Sequence, residues 1–148
     1  MAQGTGISPK DMYVEFSTDG SAWTNVSGDA AEVEPDGGER KTGGFFTFDG
    51  DTEGLTRGKR EKMTVKINIL YNETVSSAWR LAEVAYENNT ALYARWAPKG
   101  NTTGNRRFTT SAGVVKNPPY AGGEAESADP IMTEVELEVA SVTPAAIP

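Results

Sequence analysis

Asp129-Pro130-Ile131-Met132-Thr133-Glu134-Val135-Glu136-Leu137-Glu138-Val139-Ala140 is the stretch that decides the fold. Ile131, Thr133, Val135, Leu137 and Val139 alternate with Met132, Glu134, Glu136, Glu138 and Ala140. In an extended chain successive side chains point to opposite faces, so one face here is apolar and the other acidic. A period of two sustained this long belongs to a strand with one dry and one wet side. Residues 62–71 repeat the pattern: Met63, Val65, Ile67, Ile69 and Tyr71 on one face, Lys62, Thr64, Lys66 and Asn68 on the other. Two such strands predict a sheet on whose wet side Lys62 and Lys66 pair across with Glu134, Glu136 and Glu138.

That row of glutamates is a poor catalytic pair. Neighbours stand about 7 Å apart along one face, from a rise near 3.4 Å per residue. A hydrolytic pair needs an acid and a base in contrasting environments within a cleft. A uniform wet row offers no contrast, and it reads either as a solvated strand face or as the acidic lining of a channel.

Working outward, Met12, Val14 and Phe16 alternate with Tyr13 and Glu15. Thr18-Asp19-Gly20-Ser21 then supplies hairpin turn chemistry, and residues 23–26 return as a second strand. A short piece, 31–34, precedes Pro35. Val75, Ala78, Trp79, Ala82, Ala85 and Tyr86 fall at helical spacing and predict one helix over 74–89, capped by Asn72 or Thr74 and ended by Asn88-Asn89. Residues 91–96 and 106–116 read as further strands. Residues 1–10 read as an N-terminal arm and 141–148 as an extended C-terminal tail.

Residues 36–60 are Gly-rich and long for a connection within one domain, a combination that marks functional or disordered segments. Phe45, Phe46 and Phe48 sit at its centre, flanked by Arg40, Lys41, Arg57, Lys59 and Arg60. The aromatic strip favours a long hairpin or arm that docks on something. The basic cluster, with Arg106-Arg107 as a second, reads either as solvated charge or as a partner for acidic patches on another copy. Trp23, Trp79 and Trp96 are expected as core or subunit-interface anchors.

Composition sets the limits. The 148 residues allow one domain, 1–148, with a real core. A mean hydropathy of -0.48 and an apolar fraction of 37% are low for a self-sufficient globule, so arms and loops are expected to settle on neighbouring copies. The net charge of -7 argues against gripping nucleic acid through a basic surface. The chain has no cysteine and no histidine, which removes disulfides, thiolate sites and the commonest general base and metal ligand. Catalytic, cofactor-binding and metal-ligating residues are therefore expected to be none. Asp49-Gly50-Asp51-Thr52-Glu53 lacks the ligand spacing and terminal glutamate of a calcium loop. The first residues show no signal region, no apolar run reaches membrane-spanning length, and the sequons at Asn25, Asn72, Asn88 and Asn101 reflect Asn/Thr-rich loops.

The expected fold class is mainly β with one α-helix: two packed antiparallel sheets, a β-sandwich or barrel, with a long loop and extended termini that contribute to a ring-shaped oligomer. In this layout, Tyr13-Val14-Glu15-Phe16-Ser17-Thr18-Asp19-Gly20-Ser21-Ala22-Trp23, the helix from Ser76 to Asn88 and Asp129-Pro130-Ile131-Met132-Thr133-Glu134-Val135-Glu136-Leu137 resemble the tail tube proteins of long-tailed bacteriophages. That family is related in fold to the hemolysin-coregulated protein of type VI secretion.

The resemblance implies a non-enzymatic virion subunit, assembled in the bacterial host cytoplasm, whose hexameric rings stack into a hollow tube. The tube conducts viral DNA during ejection without binding it specifically. It implies partners in the tape measure, distal tail or baseplate and terminator proteins, with no membrane and no cofactor. It would place Glu134, Glu136, Glu138, Lys62 and Lys66 on the lumen. Arg40, Lys41, Phe45, Phe46, Phe48, Arg57, Lys59 and Arg60 would lie on an inter-ring loop spanning 36–60. Another tail component, or a β-sandwich module recognising carbohydrate or a receptor, remains the alternative.

Overall fold

The structure, a computed structural model, describes residues 2–148. Its eleven strands and one helix run β1 Tyr13–Ser17, β2 Thr24–Asn25, β3 Ala30–Gly37, β4 Arg40–Phe45, β5 Gly54–Arg60, β6 Met63–Leu70, α1 Ala78–Glu87, β7 Tyr93–Ala97, β8 Arg106–Thr110, β9 Gly113–Val115, β10 Met132–Val139 and β11 Val142–Ala146. One sheet has the order β11-β8-β7-β1-β2, the second β3-β6-β10-β9, and β4-β5 form a two-stranded ribbon. Every pairing is antiparallel. The sandwich is open, with no closed barrel among the described residues.

The alternating strands supply the core. Val65, Ile67 and Ile69 of β6 and Val135, Leu137 and Val139 of β10 face Val14 and Phe16 of β1 and Ala94 and Trp96 of β7 in one apolar cluster. Burying a side chain of this size stabilises by about 1.5–3 kcal/mol, and the cluster holds the two sheets together. Ala78, Trp79, Ala82 and Ala85 of α1 join it. The Trp79 indole donates to the Pro119 carbonyl at 2.7 Å, which satisfies its one polar atom.

Helix α1 begins at Ala78, later than the 74 expected from spacing, and ends at Glu87. Val75 is 83% exposed and belongs to the turn before it. Ser77 rather than Asn72 or Thr74 is the cap, its hydroxyl accepting from the Arg80 amide. The Asp29 carboxylate adds a second tether, accepting from the Ala78 amide at 3.3 Å and from Asn72 at 3.4 Å.

Three other segments differ from the sequence reading. Strand β3 continues through Pro35 to Gly37; it is an edge strand, where the missing proline donor costs no ladder bond. The tail is not merely extended: β11 pairs with β8 and places Pro144 on the edge of its sheet. Residues 106–116 form two strands, β8 in the first sheet and β9 in the second, with the chain changing sheet at Ser111-Ala112. The chain changes back at Ala140-Ser141, between β10 and β11. The two crossings lie side by side: the Ser111 amide donates to the Ser141 carbonyl at 3.0 Å, and the Ser141 amide to the Ser111 hydroxyl at 3.1 Å.

Residues 36–60 are the long hairpin of the two forms that the phenylalanines suggested, with β4 and β5 joined by a loop over 46–53. The β3–β6 ladder ends at Gly37–Met63, continues through the Gly38 amide to the Lys62 carbonyl (3.1 Å) and the Glu61 amide to the Glu39 carbonyl (2.9 Å), and becomes β4–β5 at Arg40–Arg60. Gly37 and Gly38 make the elbow, with φ of +85° and +74°. A side chain at Gly37 would meet the Lys62 carbonyl oxygen at 2.8 Å, so the bend depends on its absence. Beyond the elbow β4 is exposed along its whole length, and β5 everywhere but Gly54, so the arm stands clear of the body.

Candidate functional site

The wet face of the second sheet is built in rungs. The register aligns Glu32, Asn68 and Glu134 across β3, β6 and β10, then Glu34, Lys66 and Glu136, then Asp36, Thr64 and Glu138. Strands lie about 4.8 Å apart, so each rung sets two carboxylates roughly 10 Å apart with one β6 side chain between them. Glu134, Glu136, Glu138, Lys62 and Lys66 do share this face, because the parity that buries Val135, Leu137, Val65 and Ile67 turns their neighbours outward.

Lys62 binds Glu138 at 2.7 Å, the cross-strand pair that parity anticipated. The hydrogen bond and charge of Lys62 hold the Glu138 carboxyl below its ordinary range, and Glu138 in turn raises the lysine. Glu136 faces Lys66 in register, yet its ion pair is with Lys116 at 3.7 Å. The Asn117 side chain extends β9 by accepting from the Glu136 amide and donating to the Glu134 carbonyl. Lys66 makes no ion pair among the described residues and sits in a shallow depression with Glu32, Glu34, Asn68 and Glu134.

Sequence reasoning missed half of the acid on this face. The short piece over 31–34 already held Glu32 and Glu34 at one parity, which was the available signal, and ending it before Pro35 hid only Asp36. Six carboxylates stand against Lys62, Lys66 and Lys116, a balance of -3 on one sheet face. No group of three or more carboxylates among the described residues is arranged to hold a metal ion.

The arm divides into a basic stem and an aromatic, acidic tip. Arg40, Lys41, Arg57, Lys59 and Arg60 lie on β4 and β5, with Lys41 3.8 Å from Glu61. Phe45 lies across Gly54, filling the space a side chain there would need. Phe46 and Phe48 touch little: the first is 71% exposed and the second fully so, beside Asp49, Asp51 and Glu53. The loop residues singled out by sequence are thus brought together on the arm, separate from the acidic rungs.

The tryptophans are distributed differently from one another. Trp79 and Trp96 are buried, whereas Trp23 is half-buried, its ring 4.2 Å from the Arg95 guanidinium. Arg95 also binds Glu15 at 2.8 Å on the outer face of the first sheet.

No protein-family model matches the sequence, and no curated protein matches it. Solved structures do. A chain of the SPP1 tail tube superposes with a TM-score of 0.69 at 12% identity, over 95% of this chain and 80% of that one. A chain of the PVC sheath-tube complex of an extracellular contractile injection system gives 0.68 at 11% identity, over 96% and 93%. The PVC sheath/tube terminator gives 0.66 at 12% identity, over 98% and 100%. Identities this low speak for architecture, and the chain has the tail-tube fold, the fold of these tube and tube-terminator chains.

Proposed function

We propose that this chain is the structural, non-enzymatic subunit of a tail tube, and that its copies form hexameric rings that stack around a lumen through which DNA passes. The observation that carries the reading is the pairing of an acidic-runged sheet with an arm that runs on from its edge hairpin. An edge strand such as β3 is a template for pairing with another chain, and a ring that closes through such edges hides them. The rungs then line the lumen, with Glu134, Glu136, Glu138, Lys62 and Lys66 facing the passing DNA and Glu32, Glu34 and Asp36 beside them. A surface with net negative charge lacks the counterion release that would grip phosphate, so the duplex slides. The 36–60 hairpin makes the contact between rings, and 141–148 completes the outer sheet of each subunit. Tape measure, baseplate and terminator proteins are the partners of such a tube, and the virion tail, assembled in the host cytoplasm, is its place.

Negative-stain microscopy of the purified protein at rising concentration tests this. Rings and tubes are expected; a protein that stays monomeric at millimolar subunit concentration refutes the reading. Replacing Glu134, Glu136 and Glu138 with lysine moves the face from -3 to +3 and should leave tubes intact while slowing DNA passage. Unchanged ejection would remove the lumen assignment. Deleting residues 40–57 should leave rings or monomers.

A second reading within the same class is a tube-terminating ring, favoured by the terminator superposing almost as well as the tube chains. It predicts single rings that never elongate. The binding-module reading would need tryptophans displayed in an open groove, whereas Trp79 and Trp96 are buried and Trp23 stacks on Arg95.

A further inference from the structure

Aspartate followed by glycine is the pairing most prone to rearrange its own backbone. The glycine nitrogen attacks the aspartate Cγ, a C–N bond forms, a water leaves, and a succinimide ring results. Water then opens the ring, and opening at the former α-carbonyl leaves the chain running through the side-chain carboxyl as isoaspartate. No oxidant, enzyme or cofactor is needed, and glycine favours the attack because no side chain shields its nitrogen. The aspartate backbone must rotate until that nitrogen stands over the carboxyl carbon. Backbone fixed by hydrogen bonds therefore suppresses the reaction, and backbone free of them permits it.

The chain holds three such pairs, Asp19-Gly20, Asp36-Gly37 and Asp49-Gly50. Two are pinned. The Asp19 carboxylate accepts from the Ser21 and Ala22 amides at 2.8 and 2.9 Å, while the Gly20 amide is taken up by the Ser17 hydroxyl at 2.8 Å. The same bonds to Asp19 keep its carboxyl below its ordinary 3.8, away from the protonated form that loses water more readily. Asp36 stands in the β3–β6 ladder opposite Thr64, and the Gly38 amide carries the ladder on to the Lys62 carbonyl at 3.1 Å. The Gly37 amide donates to Asp36 Oδ1 at 2.9 Å, which aims the N–H at an oxygen and not the nitrogen at carbon. Turning it over the carboxyl would break the ladder on both sides. Asp49-Gly50 has no such restraint. The β4–β5 ladder closes at Phe45–Gly54, and neither residue makes a hydrogen bond among the described residues. Both are exposed, as is Phe48 beside them.

We propose that Asp49-Gly50 is a spontaneous modification site of the free subunit, converting to isoaspartate ahead of the other two pairs, and that conversion there excludes the subunit from assembly. The second half rests on the tube reading, in which the 36–60 hairpin joins rings. Isoaspartate inserts one methylene into the main chain and leaves the displaced carboxylate directly on the carbon that was Cα. In the short loop between Phe45 and Gly54 the longer path displaces Phe48 and its neighbours. The arm then acts as a timer: a subunit that waits too long loses the tip shape that the polymer uses.

The dilute purified protein is aged warm at neutral pH. Isoaspartate is counted by methyl transfer from S-adenosylmethionine with an isoaspartate-specific methyltransferase, and placed by electron-transfer fragmentation of peptides. It should accumulate at Asp49 about tenfold or more faster than at Asp19 or Asp36. Asp49→Glu, which would have to close a disfavoured six-membered ring, should lose most of the signal with circular dichroism unchanged. Equal rates at the three pairs, or conversion led by Asp36, would overturn the site. When a partly aged sample is concentrated and its polymer pelleted, isoaspartate should stay severalfold enriched in the supernatant. Equal content in pellet and supernatant would overturn the exclusion. Fresh protein that never polymerises, while Asp49 still converts first, would uphold the site and refute the tube reading.

Discussion

Replacing Gly37 with alanine should both loosen the domain and misdirect the arm. Its φ of +85° lies in the left-handed region, where a Cβ costs about 1–2 kcal/mol. The new methyl would also stand 2.8 Å from the Lys62 carbonyl oxygen, a backbone atom that can retreat only by breaking the ladder. Together these give a loss of about 2–3 kcal/mol. For a domain of this size each kcal/mol lowers Tm by about 2–4 °C, so a fall of about 4–12 °C is expected. The assay is thermal unfolding at a concentration too low for polymerisation, since assembly would raise apparent stability by itself. Gly104→Ala is the control: its φ is +90° with nothing within 4 Å, so it carries the backbone strain without the collision. Gly38→Ala meets only the Met63 side chain, at 2.7 Å, and a thioether turns aside readily. The expected order of damage is Gly37, then Gly38, then Gly104, and only the first two should shorten polymers. A Gly37→Ala protein that melts with the Gly104→Ala control and builds normal tubes refutes the elbow argument.

Leu137→Ala, at a fully buried position between Val65 and Val115, should cost about 2.7–5 kcal/mol in denaturant unfolding; a loss below 1 would mean the sheets collapse onto the space. Asp29→Ala removes the carboxylate at the α1 amino terminus and should cost about 1–2 kcal/mol, with faster amide exchange confined to the first turn of the helix; a uniform increase would point elsewhere. Acid should act through Asp19 and Glu138. Asp19 is held below its ordinary 3.8 by the amides of Ala22 and Ser21 and by the Ser17 hydroxyl, and Glu138 below its ordinary 4.5 by Lys62. Folded values below unfolded ones give stability that is present above these ordinary values and is lost as pH falls through the lowered ones. Carboxyl titration by NMR should show both midpoints depressed, and Lys62→Met should release Glu138 alone. The raised lysine works in the opposite sense: its contribution is complete below 10.5 and disappears as pH climbs through its higher folded value.

The strands with one dry and one wet face were legible, since β6 and β10 pair residue for residue along the alternation that defined them. The helix was legible by its stripe, but not its first turn, because Val75 fits the period and yet faces solvent. The two prolines misled in the same way. Pro35 and Pro144 look like strand ends, and only tertiary context shows that each lies on an edge where no donor is needed. Nothing in Ser111-Ala112 resembles a turn, because the chain changes sheet there without reversing. β4 and β5 defeat periodicity because neither face is buried, so no alternation had reason to arise. The acidic rungs were half visible: Glu134, Glu136 and Glu138 stood out in a long alternating strand, while Glu32 and Glu34 sat in a piece too short to show its parity and Asp36 lay beyond Pro35.

The twin crossings at Ser111 and Ser141 have a mechanical consequence. In a plain two-layer sandwich the sheets are held by apolar contact alone, which resists separation well and sliding poorly, because it has no direction. Here two covalent strands pass between the layers at one corner, in opposite senses, and are hydrogen-bonded to each other. A force pulling β10 along its axis is transmitted directly into β11, and through β8 and β9 it returns. Sliding of the layers along β10 at that corner is therefore opposed by covalent chain as well as by packing. Strain applied to β10 is then shared between the two sheets at that corner instead of falling on the apolar core alone.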